Sequence, residues 1–274
     1  DTTIEIQPNI PPINIAVSEM ISPEETFEYY EDLLDYISER TGRPVELVQR
    51  ETCAEVNELL KLQELDAAFV CTGAYVDGCE KFGMELLVAP VVNGEPYYCS
   101  YIIVPDGSDA NSLEDLRWKK FAFTNPMSNT GKLSPTYMLA LINETPDSFF
   151  SEYIFTHSHD ASIEAVAKRL VDGAAVDSLR GDDANSKNPE YTSKTKVIAR
   201  SQPYGIPPVV VHPDSNPEIK TELQDILLTM HNDPMGADIL MNIGIDKFTI
   251  VDESIYDSVY EMREFAEAQD AAEE

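Results

Sequence analysis

The segment Asn125-Pro126-Met127-Ser128-Asn129-Thr130-Gly131-Lys132 lies directly between an apolar run, Lys120-Phe121-Ala122-Phe123, and a helical stretch, Tyr137-Met138-Leu139-Ala140-Leu141. A strand, a small-residue turn and a helix start bring free backbone N–H groups, two hydroxyls and the positive end of a helix dipole to one point. Such a point suits an oxyanion. The same residues also make an ordinary capping turn, because Ser and Thr cap helices for structural reasons alone. The Gly-x4-Gly-Lys-Ser/Thr spacing of a phosphate-binding P-loop is absent. A second candidate is Thr156-His157-Ser158-His159-Asp160, which follows another strand and opens a helix at Ala161. Open α/β sheets place ligands at strand C-terminal ends of this kind. His159 is suited to donate to an anion there, and Asp160 is equally a helix cap. Asp177-Ser178 ends a third strand, Ala174-Ala175-Val176, on the same side.

His159 as a base with Asp177 as its orienter would give a transferase or hydrolase. The sequence holds no Gly-x-Ser-x-Gly, His-Glu-x-x-His or Gly-x-Gly-x-x-Gly, so the leading expectation is a protein that is not an enzyme and carries no metal or cofactor. Cys53, Cys71, Cys79 and Cys99 match no CxxC spacing and are compatible with zero to two disulfides.

The elements that must position these residues alternate. Ile13-Asn14-Ile15-Ala16-Val17 reads as a buried strand, and Ser22-Pro23-Glu24-Glu25 as the capped start of a helix ending at Thr41-Gly42-Arg43-Pro44. Val45 to Val48 is a strand, Thr52 starts a helix through Leu60, and Asp66 to Val70 is a strand leading into Cys71-Thr72-Gly73-Ala74-Tyr75 and a further helix. This order calls for a parallel sheet covered on both faces. Tyr97 to Val104 and Pro208 to Val211 are β-rich runs that bracket a middle α/β section with strands at Lys120 to Phe123, Tyr153 to Phe155 and Ala174 to Val176. A chain that leaves one lobe and returns makes two lobes joined by two crossings, with a cleft between. Helices are expected near Ile219 to Met230 and Ile255 to Ala266, and Glu264 to Glu274 reads as a fraying helix or solvated tail.

Asp and Glu number 50 against 19 Lys and Arg in 274 residues, a formal charge of −31, which makes nucleic acid and anionic membranes poor partners. With 43% apolar residues the chain still buries a core, and such an acidic surface points to a salt-adapted source. No run of about 18 apolar residues occurs, so no membrane-spanning helix is expected. The start at Asp1, without an initiator Met, fits a mature or trimmed chain whose export signal or lipid anchor is already removed.

Ser128-Asn129-Thr130-Gly131, His159-Asp160, Val171-Asp172-Gly173-Ala174-Ala175-Val176-Asp177-Ser178 and Ser201 running into Pro208-Val209-Val210 follow the order of PhnD-like solute-binding proteins. Leu65-Asp66-Ala67-Ala68-Phe69-Val70, Tyr75 and Tyr98-Cys99-Ser100-Tyr101-Ile102-Ile103-Val104 extend that resemblance over roughly residues 13 to 250. It implies a two-lobed α/β periplasmic-binding-protein fold of type 2, with two crossing strands. Lobe 1 would take residues 1–104 and 205–274, and lobe 2 residues 105–204. It also implies an extracytoplasmic monomer, periplasmic or at the cell surface, that captures phosphonate, phosphite or phosphate for an ABC importer. Ser128, Asn129 and Thr130 would hold the oxyanion, with His159 and Asp177 beside it and Tyr75 lining the cleft. Asn129 departs from the family's hydroxyl pattern.

Tyrosines that serve aminophosphonate-binding members align with Cys53 and Cys99, and their acid for the ligand amine with Pro207, so an aminophosphonate is not expected. Cys71 also falls at a cleft-facing strand end, with Met20 and Met127 at two others. Convergence of Cys53, Cys71 and Cys99 would instead suit arsenite or another thiophilic ligand in a sensory protein of the same fold. The structural alternative is burial of the thiols, or a Cys53–Cys99 or Cys71–Cys79 disulfide.

Overall fold

The chain opens with β1 (Ile13–Val17), α1 (Pro23–Thr41), β2 (Val45–Val48), α2 (Cys53–Lys61), β3 (Ala67–Phe69) and α3 (Thr72–Phe82), the alternation that the residue pattern predicts. The structure, a computed structural model, describes residues 10–18, 23–187 and 189–273, so the expected cap Ser22 and Met20 lie outside the described residues. Thr52 caps α2 with a complete capping box. Its hydroxyl accepts from Glu55 N at 3.2 Å, and the Glu55 carboxylate accepts from Thr52 N at 3.0 Å. That cap fixes where α2 begins and thereby places Cys53 at its first residue.

After α3 come β4 (Glu85–Val91), β5 (Tyr97–Tyr98), β6 (Ser100–Pro105), β7 (Lys120–Phe123), α4 (Ser134–Ala140), α5 (Pro146–Phe149), β8 (Glu152–Phe155), α6 (His159–Ala167), β9 (Gly173–Asp177) and α7 (Ser178–Lys187). The chain returns through β10 (Thr195–Arg200), β11 (Tyr204–Gly205) and β12 (Val209–Val211). It ends with α8 (Pro217–Thr229), α9 (Pro234–Asn242), β13 (Lys247–Thr249) and α10 (Asp257–Glu273). The acidic end expected to fray is thus the continuation of α10.

One sheet has the order β13-β4-β12-β3-β1-β2 and the other β10-β6-β9-β7-β8. Both are mixed rather than parallel. Strands reached through a helical crossover pair in parallel, as in β1–β2, β1–β3, β7–β8 and β7–β9. Strands entered directly from a crossing run antiparallel, as β12 does between β3 and β4 and β6 does against β9. The run from Tyr97 to Val104 is two strands. β5 pairs with β11 in a two-stranded ladder, Tyr204 opposite Tyr98, while β6 belongs to the second sheet, and the chain changes sheets at Cys99.

The second sheet is covered on both faces, as its alternating apolar residues require. Ile102, Val104, Phe121, Phe123 and Ala175 face one cluster, and Tyr101, Ile103, Ala122, Ala174 and Val176 the other. The first sheet buries Ile13, Ile15, Ala68, Val88 and Val210 in a larger cluster that takes in α1, α2, α3 and α8. Removing the α2 cap tests how strongly that helix start is held. Thr52→Ala is expected to lower the unfolding free energy by about 1 kcal/mol in urea titration, without changing the slope of the transition.

Candidate functional site

The turn after β7 is built around Ser128. Its hydroxyl accepts from Gly131 N at 2.9 Å, and its carbonyl accepts from Lys132 N at 3.1 Å and Leu133 N at 3.0 Å. Ser134 N in turn bonds the Asn129 carbonyl, so the helix opens with a wide turn of i→i+5 bonds over Asn129–Leu133 before tightening into α4. Wide turns of this type concentrate at functional positions. The N–H groups of Asn129 and Thr130 precede the first bonded amide, and among the described residues neither has an acceptor. Both residues are buried. Gly131 is required here, because a Cβ on it would stand 1.8 Å from Thr124 Oγ1 and 2.9 Å from Ser128 Oγ.

The start of α3 faces this turn from the first sheet. A Cβ on Gly73 would lie 2.0 Å from the Met127 carbonyl oxygen and 3.3 Å from Asn129 N. Cys71 Sγ donates to the same Met127 oxygen at 3.6 Å, and Thr72 Oγ1 donates to the Gly205 carbonyl at 2.9 Å. The Asn129 side chain reaches the β5–β11 ladder, its Nδ2 donating to Tyr98 Oη at 3.2 Å. Ser100 Oγ, at the start of β6, donates to the Thr130 carbonyl at 2.6 Å. Asn129 Oδ1 and Thr124 Oγ1 are buried and, among the described residues, have no partner. A buried polar atom left so costs about 1–3 kcal/mol.

His159 and Asp177 meet through the main chain. Asp177 N donates to His159 Nδ1 at 3.0 Å, so the neutral ring carries its proton on Nε2 as a donor. Burial, reinforced by the Arg180 charge, pushes His159 down to about 3. The Asp177 carboxylate caps α7, accepting from Leu179 N at 2.7 Å and Arg180 N at 3.4 Å. Burial nonetheless pushes it up to about 6, against the opposing pull of Arg180. The carboxylate therefore does not orient the imidazole, and a ring so reluctant to take a proton is a poor base. The hydrolase arrangement is not formed.

A cavity of about 340 Å³ opens between the two sheets at Asp177, with Arg180 and Asp182 on one side and Phe69, Pro207, Pro208 and Phe248 on the other. Tyr30 of α1 also lines it, close enough to Arg180 of α7 for that charge to oppose the upward push of burial on its phenol. Sequence reasoning missed Tyr30, Thr72, Gly73, Thr124 and Arg180. The signal available for Arg180 was its place three residues after Asp177, in the first turn of a helix at a strand end.

The remaining expected residues separate. Tyr75 is buried against Tyr256, ring centroids 4.7 Å apart, and packs α3 rather than lining the cavity. Cys99 exchanges bonds with Ser178, its N–H meeting Ser178 Oγ at 3.0 Å and its carbonyl accepting from Ser178 N at 2.9 Å. None of the four cysteines is in a disulfide. Neither Cys53–Cys99 nor Cys71–Cys79 is paired. Cys79 Sγ instead donates to the Met84 carbonyl at 3.2 Å, and Cys53 Sγ lies 3.5 Å from Cys71 Sγ. Among the described residues no three His, Cys, Asp or Glu side chains are arranged to hold a metal. The thiophilic cluster of three cysteines is therefore absent.

Two α/β lobes, two crossings and helix starts facing each other across a buried cleft define a two-lobed solute-binding protein of the type 2 architecture. The profile of the family described as ABC transporter, phosphonate, periplasmic substrate-binding protein matches residues 15–256, and the chain belongs to that family. Members of that family bind substrates for transporters and are not enzymes. The phosphate-import protein PhnD of Mycolicibacterium smegmatis is 31% identical over 185 residues, 63% of this chain, and the match spans 57% of that relative's length. A binding-protein component of an ABC phosphonate transporter from Pseudomonas aeruginosa superposes with a TM-score of 0.90 at 24% identity, over 97% of this chain and 89% of that one. A PhnD protein of Prochlorococcus marinus in complex with methylphosphonate superposes with a TM-score of 0.84 at 16% identity, over 94% and 98%. These two likenesses establish the fold.

The shifts at Asp177 and His159 have opposite consequences. Asp177 makes the folded state the tighter proton acceptor between about pH 4 and 6, so its contribution falls as pH rises through that window. His159 makes the unfolded state the tighter acceptor between about pH 3 and 6.5, so its contribution rises there. Asp177→Asn keeps the capping oxygen and removes the charge. It is expected to exceed the parent in stability at pH 7 by roughly 2–3 kcal/mol, with the gain vanishing below about pH 4, in urea unfolding repeated across that range.

Proposed function

We propose that the chain is an extracytoplasmic binding protein, working as a monomer, that captures a small oxyanion of the phosphonate, phosphite or phosphate class between its lobes and delivers it to an ABC importer. The observation that carries this reading is the pair of buried N–H groups at Asn129 and Thr130, without an acceptor among the described residues and set against the start of α3 from the other lobe. Family membership supports the ligand class and the importer, and the family's periplasmic description supports the location. Among the described residues no helix is long and apolar enough to cross a membrane.

The lobes meet at the β5–β11 ladder. The first crossing falls at Cys99 rather than after Val104, since Ser100–Pro105 already belongs to the second sheet. In the loaded state the amides of Asn129 and Thr130 and the Ser128 and Thr130 hydroxyls hold the oxyanion, with the Nε2–H of His159 as a further donor. Turning the Asn129 amide over lets Tyr98 donate to Oδ1, satisfies that atom and aims Nδ2 at the ligand. Asp177, with its value near 6, takes a proton more readily than an ordinary carboxylate and so tolerates an anion beside it. Pro207 on the cavity wall supplies no charge for a ligand amine, which favours methylphosphonate, phosphite or phosphate over aminophosphonates. Cys53, Cys71, Cys99 and Tyr75 are not ligand contacts in this reading, and no observation favours arsenite.

Thermal unfolding with each anion in one buffer tests the proposal. At about 100 times its dissociation constant the true ligand adds roughly 2.7 kcal/mol of stability and raises the midpoint by a few degrees, while arsenite does not. Gly73→Ala, whose Cβ meets the Met127 backbone carbonyl, is expected to lower the unliganded midpoint and also to lose most of the ligand-induced rise. No rise with any of the three phosphorus oxyanions overturns the proposal.

A further inference from the structure

We propose that Cys53 and Cys71 form a redox-active dithiol, closed by small disulfides into an intramolecular bond that staples the start of α2 to the start of α3. The pair is assigned no part in ligand capture, and its geometry is specific. The sulfurs lie 3.5 Å apart, in hydrogen-bond contact, while the Cys79 thiol donates to the Met84 carbonyl and the Cys99 main chain is tied to Ser178 where the chain crosses between sheets. Each thiol is anchored by the cap of its own helix: Cys53 follows the Thr52 capping box, and Cys71 is itself the N-cap residue of α3. Bonding requires the two sulfurs to close from 3.5 Å to about 2.05 Å.

The two sulfurs differ in reach. Cys53 is 1% exposed and Cys71 7%, and Cys71 alone lies at the contact between lobes, where its S–H faces the Met127 carbonyl. Cys71 is therefore the attacking thiol and Cys53 the resolving one. The Cys53 S–H directed at the Cys71 sulfur, together with the N-terminal end of α3, outweighs burial and holds the Cys71 thiol below the usual range.

The step balances as thiol–disulfide exchange. The Cys71 thiolate attacks one sulfur of oxidised glutathione and expels one glutathione thiolate, leaving a mixed disulfide. The Cys53 thiolate then attacks the Cys71 sulfur and expels the second. Two protein thiols are oxidised, two electrons pass to the glutathione disulfide, and two protons leave with the products. An extracytoplasmic location, which rests on the proposed function, is where such oxidants persist. Closure of the bond removes the S–H that faces Met127, so the redox state of the pair is written into the contact by which the lobes meet.

The test uses the reduced full-length chain and oxidised glutathione, with no ligand present, so its outcome is independent of which anion the cleft takes. Oxidation is expected to reduce the count of titratable thiols in denaturant from four to two, to lower the mass by two hydrogens, and to yield a single cross-linked peptide joining Cys53 to Cys71. Dithiothreitol should reverse it. The Cys79→Ser, Cys99→Ser double variant should form the same bond at the parent rate, and Cys53→Ser should stop at a glutathione adduct on Cys71. In the oxidised parent, amide hydrogen exchange over residues 127–131 should quicken at least twofold. Four thiols surviving, a cross-link to Cys79 or Cys99, an adduct on Cys53 in place of Cys71, or unchanged exchange over that turn would overturn the proposal.

Discussion

The Met127 carbonyl oxygen stands 2.0 Å from where a Cβ on Gly73 would be, and much of the site depends on that approach. A helix start has unbonded N–H groups wherever it occurs, and water normally satisfies them. Here the absence of one side chain lets α3 of the first lobe come down on the turn that begins the Asn129 helix. The amides of Asn129 and Thr130 are thereby shut away from solvent while, among the described residues, still without acceptors. An anion placed there meets donors in a medium that screens them far less than water does. The same approach seats the Cys71 thiol against Met127 and leaves Thr72 to tie α3 to Gly205 of the return crossing.

A chain of formal charge −31 repels an anion at long range, yet its charge and its local donors act at different ranges. Exposed charges are screened beyond about 8 Å at physiological ionic strength, whereas desolvated N–H donors act at contact. The local groups are also set to keep negative charge low. Asp177 is pushed toward its neutral form by burial and faced by Arg180, and His159 stays neutral while offering a proton from Nε2. Arg180 and Tyr30 line the same cavity from α7 and α1, so the cation that tempers the site also faces the opposite wall.

How much of this could be read in advance depends on the range of the interaction responsible. Ile13–Val17, Val45–Val48 and Lys120–Phe123 fall where their apolar runs and bounding Gly and Pro residues place them. Thr52 caps where a Thr three residues before a Glu should. The strand Glu85–Val91 carries Pro90, a residue that argues against a central strand. It is accommodated because Pro90 pairs with Phe248 in the short outer strand β13. That outer strand has only three residues and no pattern of its own. The direction of β12 follows from where the chain re-enters the sheet, which no local period encodes. Of the proposed site, Ser128, Asn129, Thr130, His159 and Asp177 were legible from their places after strands. Gly73, Tyr30 and Arg180 were not, because their roles exist only once two lobes face each other. The cysteines show the same limit: spacing allowed several pairings, and only the three-dimensional arrangement brings Cys53 to Cys71.

The central claim is that the start of the Asn129 helix, closed over by α3, is where the anion sits. Titrating methylphosphonate, phosphite and phosphate into isotope-labelled protein while following backbone amide resonances addresses it directly. The account predicts that the active anion produces saturable shifts that are largest at Asn129, Thr130 and Gly131, with accompanying shifts at Thr72 and Gly73 as the lobes close. Saturable shifts confined to the cavity lining around Asp177, Arg180 and Phe69, with the amides of Asn129 and Thr130 unmoved, would contradict it.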